Sequence, residues 1–366
     1  MNIMVLNVAA ESSGALSVLN DFYHEIITAP KSSDTWYFVV SKPTHFAETD
    51  RVKVLRFPWV KKSWLHRLAF DYLVAPRLVR RHGIGKVLSL QNVIIPFVKV
   101  PRIVYIHNAL PFAKYRYKFK ENRLLWVYQN VIKRNIISSI KRADKVIAQT
   151  NWMKRAFVEQ AKVAADKIVV CPPQIHIPEV AGYQKKNQAE NTFFYPATGL
   201  DFKNHRVIIE ACKQLVGRGV TNFTVILTLA SDENELVADL YQEVEANHLP
   251  IRFVGKLKRE EVFHQYGSAV LLFPSYIESY PLPLIEARKQ KSPIVASDMP
   301  FSHEILAGHE NVRFFDPFAP SELAALLAAH IDGRIDYVES REIADESENV
   351  KSLIEVVTND RPSIRI

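Results

Sequence analysis

Cysteine is nearly missing from this chain: Cys171 and Cys212 are the only two among 366 residues. Two thiols so far apart exclude a disulfide framework and point to a reducing compartment. Nor does any apolar run approach the roughly 20 residues that a membrane-spanning helix needs. The opening MNIMVLNVAA is apolar, but it has no basic segment and no cleavage pattern. It reads as a buried first strand rather than a signal peptide. The chain is therefore expected in the cytosol, or on a membrane from the cytosolic side. No helix-turn-helix, zinc-finger or RRM pattern occurs, which argues against nucleic acid as a partner.

Acidic residues are scarce in the first half. Residues 51–150 carry 22 Lys and Arg against 3 Asp and Glu. Residues 1–180 hold 28 basic and 12 acidic side chains, a balance of +16, and residues 181–366 hold 19 and 27, a balance of −8. An asymmetry of this size implies an anionic partner for the first half, either nucleic acid or a membrane surface. The length implies two domains, and an apolar fraction of 48% suffices for two cores.

What is present is organised around residues 270–298, VLLFPSYIESYPLPLIEARKQKSPIVASD. Val270–Phe273 and Ile294–Ala296 are short apolar runs of the buried-strand type. Pro274, Ser275 and Pro281 mark a loop, and Pro283 sits where a helix tolerates proline, in its first turn. The unit is strand, loop, helix, strand, hence a parallel sheet. In such a sheet the strand ends border the ligand crevice, and the following helix aims its unpaired N–H groups into it. A phosphate suits that position. Glu286, placed in the first helical turn, is expected to face a ribose, and Glu278 to lie farther out, where a sugar would sit.

Further strands are expected at Ile3–Val8, Trp36–Val40, Val52–Phe57, Val87–Leu90, Ile103–Ile106, Asp144–Thr150, Val225–Leu229 and Ile251–Val254. Gly14 opens a helix after the first strand, where a small-residue turn lets backbone approach a ligand closely. His107 follows the strand Ile103–Ile106 and so faces the crevice. Val60, Trp64, Leu65 and Leu68 fall on one face of an expected basic, amphipathic helix. In AKYRYKFK, residues 113–120, Tyr115, Tyr117 and Phe119 alternate with Lys114, Arg116, Lys118 and Lys120. An extended segment would separate rings from cations. The polar run from Pro172 to Asn191 lacks a core pattern and marks a domain boundary.

Glu278 and Glu286, with Leu282-Pro283 between them in ESYPLPLIEA, resemble the E-x7-E signature of family-4 glycosyltransferases of bacterial surface-polysaccharide type. PSY before it and PIVASD after it match as well. The resemblance implies the GT-B architecture: two Rossmann-like α/β domains with parallel sheets, facing a central cleft. The expected division is an acceptor-binding domain at 1–178, a nucleotide-sugar domain at 179–350, and a tail at 351–366 returning to the first domain. It implies a transferase moving a sugar from a nucleoside diphosphate sugar to a hydroxyl of a lipid-linked saccharide, retaining, without metal or other cofactor, peripheral on the inner face of the cell membrane. No D-x-D element follows a strand.

By the same resemblance His107 contacts the transferred sugar, Glu278 serves it, and Lys203 grips the diphosphate. Thr198 stands where the family has a second cation, an arginine, and Pro281 where it has glycine. Gly14, Lys256, Leu257, Ser279, Tyr280, Leu282, Pro283 and Glu286 complete the implied donor site. A sugar-nucleotide epimerase or a non-catalytic subunit of the same fold are the alternatives, the second favoured by Thr198 and Pro281.

Overall fold

The computed structural model describes residues 1–8, 14–30, 33–42, 46–174, 178, 182–185, 190–339 and 351–359. The chain divides into two compact units, Met1–Ile175 with Glu346–Ile366, and His176–Asp345. The division falls inside the polar run after Pro172. The sequence also carries an acidic run at 339–349, ESREIADESEN, which from residue 340 on lies outside the described residues.

The first unit holds a seven-stranded sheet of β1 (Asn2–Asn7), β2 (Thr35–Val40), β3 (Val52–Arg56), β4 (Lys86–Ser89), β5 (Arg102–Ile106), β6 (Lys145–Ala148) and β7 (Ile168–Val170). All pairs are parallel, in the order β3-β2-β1-β4-β5-β6-β7. Its strands are buried on both faces, which is why they read as apolar runs rather than alternating ones. The faces still alternate strictly: Ile3 and Val5 join one core cluster, Met4 and Leu6 the other.

The helix Leu353–Thr358 returns to this unit. Its Leu353, Val356 and Val357 pack into the cluster of Ile3 and Val5. Ser352 and Glu355 form a capping box at its start. The buried Lys86 donates to the Val357 carbonyl at 2.5 Å, placing a cation at the negative helix end.

The second unit holds β8 (Thr192–Tyr195), β9 (Thr224–Leu227), β10 (Ile251–Phe253), β11 (Val270–Phe273), β12 (Ile294–Ser297) and β13 (Val312–Phe315). They are parallel, in the order β10-β9-β8-β11-β12-β13. The sequence pattern did not mark β13, because aromatic Phe314 and Phe315 run straight into a proline-bearing loop.

Two expectations in the first unit are corrected. Val60 belongs to a separate turn, Pro58–Lys61, and is buried in the core. Ser63 then caps a new helix, Trp64–Ala69, in which no residue is buried. The new cap resets the helical phase, so Val60 does not share a face with Trp64, Leu65 and Leu68. Residues 113–120 are not a strand with rings on one side and cations on the other. Tyr117 is buried, its ring edge-on to Tyr115 at 5.0 Å, and Gln129 binds both the Tyr117 N–H and the Tyr115 carbonyl. Phe119 alone of the three rings is exposed, packed on Trp126 and under Arg123.

Candidate active site

In the second sheet the strand order reverses between β8 and β11, the switch point where an open α/β sheet binds ligands. The segments leaving both strands carry the expected cation and carboxylate. After β8, a single turn over Asp201–Lys203 ends at Asn204, whose φ of 60° is left-handed, a conformation that asparagine tolerates. The Asn204 amide donates to the carbonyls of Pro274 (3.2 Å) and Pro317 (2.7 Å), tying three loops together. The Tyr195 hydroxyl donates to the Lys203 carbonyl at 2.9 Å.

So held, Lys203 places Nζ 2.5 Å from Oε1 of Glu278. Buried Ser275 donates its hydroxyl to the same oxygen at 2.8 Å, and its carbonyl accepts from Ser297 at 2.5 Å. Glu278 is thus an oriented, half-buried carboxylate paired with Lys203.

The helix Leu282–Lys289 carries Pro283 at its second position, as expected. Glu286 is its fifth residue and so lies in the second turn, not the first. The helix starts one residue before Pro283, which shifts the carboxylate inward. Its Oε2 accepts from the Tyr266 hydroxyl at 3.0 Å and its Oε1 pairs with Arg259 at 3.0 Å. Burial raises its pKa above the ordinary carboxylate range, against the opposing effects of Arg259 and Tyr266. Pro281 and Pro283 supply no N–H, and those of Leu284 and Ile285 are spent on the Pro281 carbonyl. The amide left at the helix start is that of Leu282, so this end offers an anion less than an ordinary N-terminus would.

Thr198 is exposed on a loop whose next residue, Gly199, is clamped between Glu233 and Asn234. A Cβ on Gly199 would stand 2.1 Å from Val237, so this position admits only glycine. Lys256 is exposed and Leu257 half-buried in the loop after β10, which turns at Gly255 with φ 69°. That loop leads into Arg259, and through it to Glu286. Ser279 and Tyr280 are half-buried in the loop between Glu278 and the helix.

The first unit holds the other expected residues. Gly14 is the first residue of the helix Gly14–Thr28, and residues 9–13, where a small-residue turn was expected, lie outside the described residues. His107 follows β5. Asn92, itself left-handed at φ 65°, accepts the N–H groups of His107 (2.8 Å) and Asn108 (3.2 Å) on one amide oxygen. That fixes the amide orientation, so its nitrogen donates to His107 Nε2 at 3.1 Å. The ring is then neutral with its proton on Nδ1. Burial lowers its pKa to about 4.

Sequence reasoning missed Ser275, Asn204, Arg259, Tyr266 and Asn92. Each acts through a neighbour brought near by folding. Ser275, named only as a loop residue of the 270–298 stretch, and Asn204, directly after Lys203, stood beside residues already singled out.

Residues 178–348 match the family model described as glycosyl transferases group 1. The O-antigen chain mannosyltransferase RfbU of Salmonella typhimurium is 23% identical over 278 residues, 74% of this chain and 70% of that protein. Among solved structures, a lipopolysaccharide outer core galactosyltransferase, WaaB, aligns with a TM-score of 0.64 at 16% identity, covering 92% of each chain. HepE of Anabaena in complex with UDP-glucose aligns at 0.62 and 17% identity, over 91% of this chain and 90% of that one. A sucrose-phosphate synthase from Thermosynechococcus elongatus aligns at 0.66 and 15% identity, over 91% and 90%.

Proposed function

We propose that this chain, whose residues 178–348 match the glycosyl transferases group 1, is a GT-B glycosyltransferase that moves a sugar from a nucleoside diphosphate sugar to a hydroxyl of a lipid-linked saccharide in polysaccharide assembly. The observation that carries this reading is the Lys203–Glu278 pair at the β8/β11 switch point. A diphosphate entering there takes over Lys203 Nζ, and Glu278, still held by Ser275, is released toward the sugar hydroxyls. Lys203 then neutralises the charge that develops on the leaving diphosphate. With Thr198 in place of a second cation and few amides at the helix start, Lys203 bears most of that task. Glu286 faces the ribose, and Gly255, Lys256 and Leu257 line the base. His107, neutral and oriented by Asn92, addresses the sugar. In the retaining course, a β-phosphate oxygen takes the acceptor proton.

The UDP-glucose complex of HepE supports a nucleoside diphosphate donor. The name of the Salmonella relative supports a polysaccharide product. No helix among the described residues is long and apolar enough to cross a membrane.

Calorimetry with nucleoside diphosphates, followed by transfer from labelled sugar nucleotides to a membrane lipid extract, tests the reading. Binding of a diphosphate together with a labelled glycolipid product supports it. Failure of every nucleoside diphosphate to bind overturns it. Binding without hydrolysis or transfer assigns a non-catalytic subunit instead, and a rearranged free donor assigns an epimerase.

A further inference from the structure

The basic first unit turns an apolar face outward. Trp64, Leu65, Leu68, Tyr72 and Leu73 recur at i, i+1, i+4, i+8 and i+9, and all are exposed, from 40% for Leu68 to 75% for Leu65. The local sequence explains why. Ser63 starts the helix afresh, accepting the His66 N–H on its side chain. Residues Phe70–Val74 then widen into a π-helical turn just before Pro76, whose missing N–H breaks the regular ladder. Phe70, Ala75, Leu78 and Val79 go into the core, while Tyr72 and Leu73 stay out.

A sixth residue joins from another loop. Phe97 is 79% exposed at φ 57°, a left-handed backbone that a bulky side chain rarely adopts. Its ring stands 5.8 Å from that of Tyr72. A strained backbone that holds a phenyl ring in solvent, against a row of exposed apolar side chains, points to something that covers it.

The surrounding charge says what. Residues 58–81 hold six Lys and Arg, and Asp71 as their one acid. Asp71 is bound to Arg67 at 2.7 Å and so offers no free negative charge. Exposed Lys62 and Lys99 flank the face in sequence. We propose that Trp64, Leu65, Leu68, Tyr72, Leu73 and Phe97 seat in the interfacial layer of a bilayer that carries anionic lipid, with the flanking cations at its headgroups. A tryptophan and a tyrosine within the apolar row suit the boundary between hydrocarbon and headgroup, and lysine stems reach from it to the phosphates. This rests on the reading above, in which the acceptor is carried on lipid.

The test is co-sedimentation of the full chain with phosphatidylcholine vesicles, with and without phosphatidylglycerol, at low and high salt. The apolar variant is Leu65→Ser with Phe97→Asn, since asparagine accepts the left-handed backbone. The charge variant is Lys62→Ser with Lys99→Ser. Wild type should bind the anionic vesicles, more weakly but measurably at high salt. The apolar variant should lose at least about tenfold in partition at both salt levels. The charge variant should lose severalfold at low salt only. Both should keep wild-type nucleotide affinity, because none of the four residues lies in the donor site. Equal sedimentation of the apolar variant and wild type overturns the proposal. So does a wild-type dimer in solution that the apolar variant breaks, which would assign the face to a second copy. If vesicles do not bind and transfer to a soluble acceptor still proceeds, this inference falls while the enzyme reading stands.

Discussion

Lys203 Nζ and Glu278 Oε1 stand 2.5 Å apart, and the same carboxylate oxygen accepts the Ser275 hydroxyl. The cation that the diphosphate would need is therefore already committed to the carboxylate that the sugar would need. In the proposed reading, the donor diphosphate replaces Glu278 on Lys203, and Glu278 keeps the Ser275 hydroxyl and gains the sugar hydroxyls as partners.

The pair's coupling can be measured. Lys203→Ala leaves Glu278 partly buried beside no cation, and should cost about 1–3 kcal/mol in denaturant unfolding. Adding Glu278→Gln should return most of that stability, because the leftover charge is gone. Neither variant should transfer sugar at the wild-type rate. Wild-type stability of Lys203→Ala, or wild-type transfer by the double variant, would sink this account.

Glu286 carries a cost. Its pKa is raised by burial, so the folded state holds the proton more tightly than the unfolded chain does. Its contribution to stability is therefore present at low pH and lost as pH rises through the folded value. Glu286→Gln should gain stability relative to wild type around neutral pH and lose that advantage on acidification. The same variant should bind nucleoside diphosphates about 10- to 100-fold more weakly, the loss of a charged hydrogen bond. Thermal unfolding across pH and calorimetry read the two effects. Unchanged nucleotide affinity would remove Glu286 from the ribose.

The sign is opposite for His107. Its folded pKa, about 4, lies below the ordinary value of 6.5. Its stability contribution is thus complete above the ordinary value and is lost as pH falls through the folded one. Replacing it in His107→Gln, which can still accept from Asn92, should make unfolding less acid-sensitive between those two values. The wild-type transfer rate should show no inflection at the ordinary histidine value, since the ring stays neutral there. An inflection that His107→Gln abolishes would mean that the ring is charged in use.

Much of the fold could be read in the residues alone. Runs such as Val270–Phe273 and Ile294–Ser297 are apolar on both faces because parallel strands are covered on both, so pattern and burial coincide. Gly14 opens its helix and Pro283 sits in the first turn of its own, as expected, since glycine and proline act on the backbone locally. The segment 58–74 was less legible. A cap at Ser63 and a widened turn at Phe70–Val74 each shift the helical phase, and a periodicity count assumes one phase throughout.

In the proposed site, the sequence by itself singled out Glu278 and Glu286 by their places on the loop after a strand and in the helix that follows, and Lys203 by resemblance. Only the tertiary structure decided their partners. Lys203 meets Glu278 across 75 residues, and Asn92 meets His107 across 15, because neighbouring parallel strands, β8 beside β11 and β4 beside β5, end side by side and bring remote segments together. The outward turn of Leu65 and Phe97 was decided at that level too, since which side of a helix becomes the inside is set by what the rest of the chain has already covered.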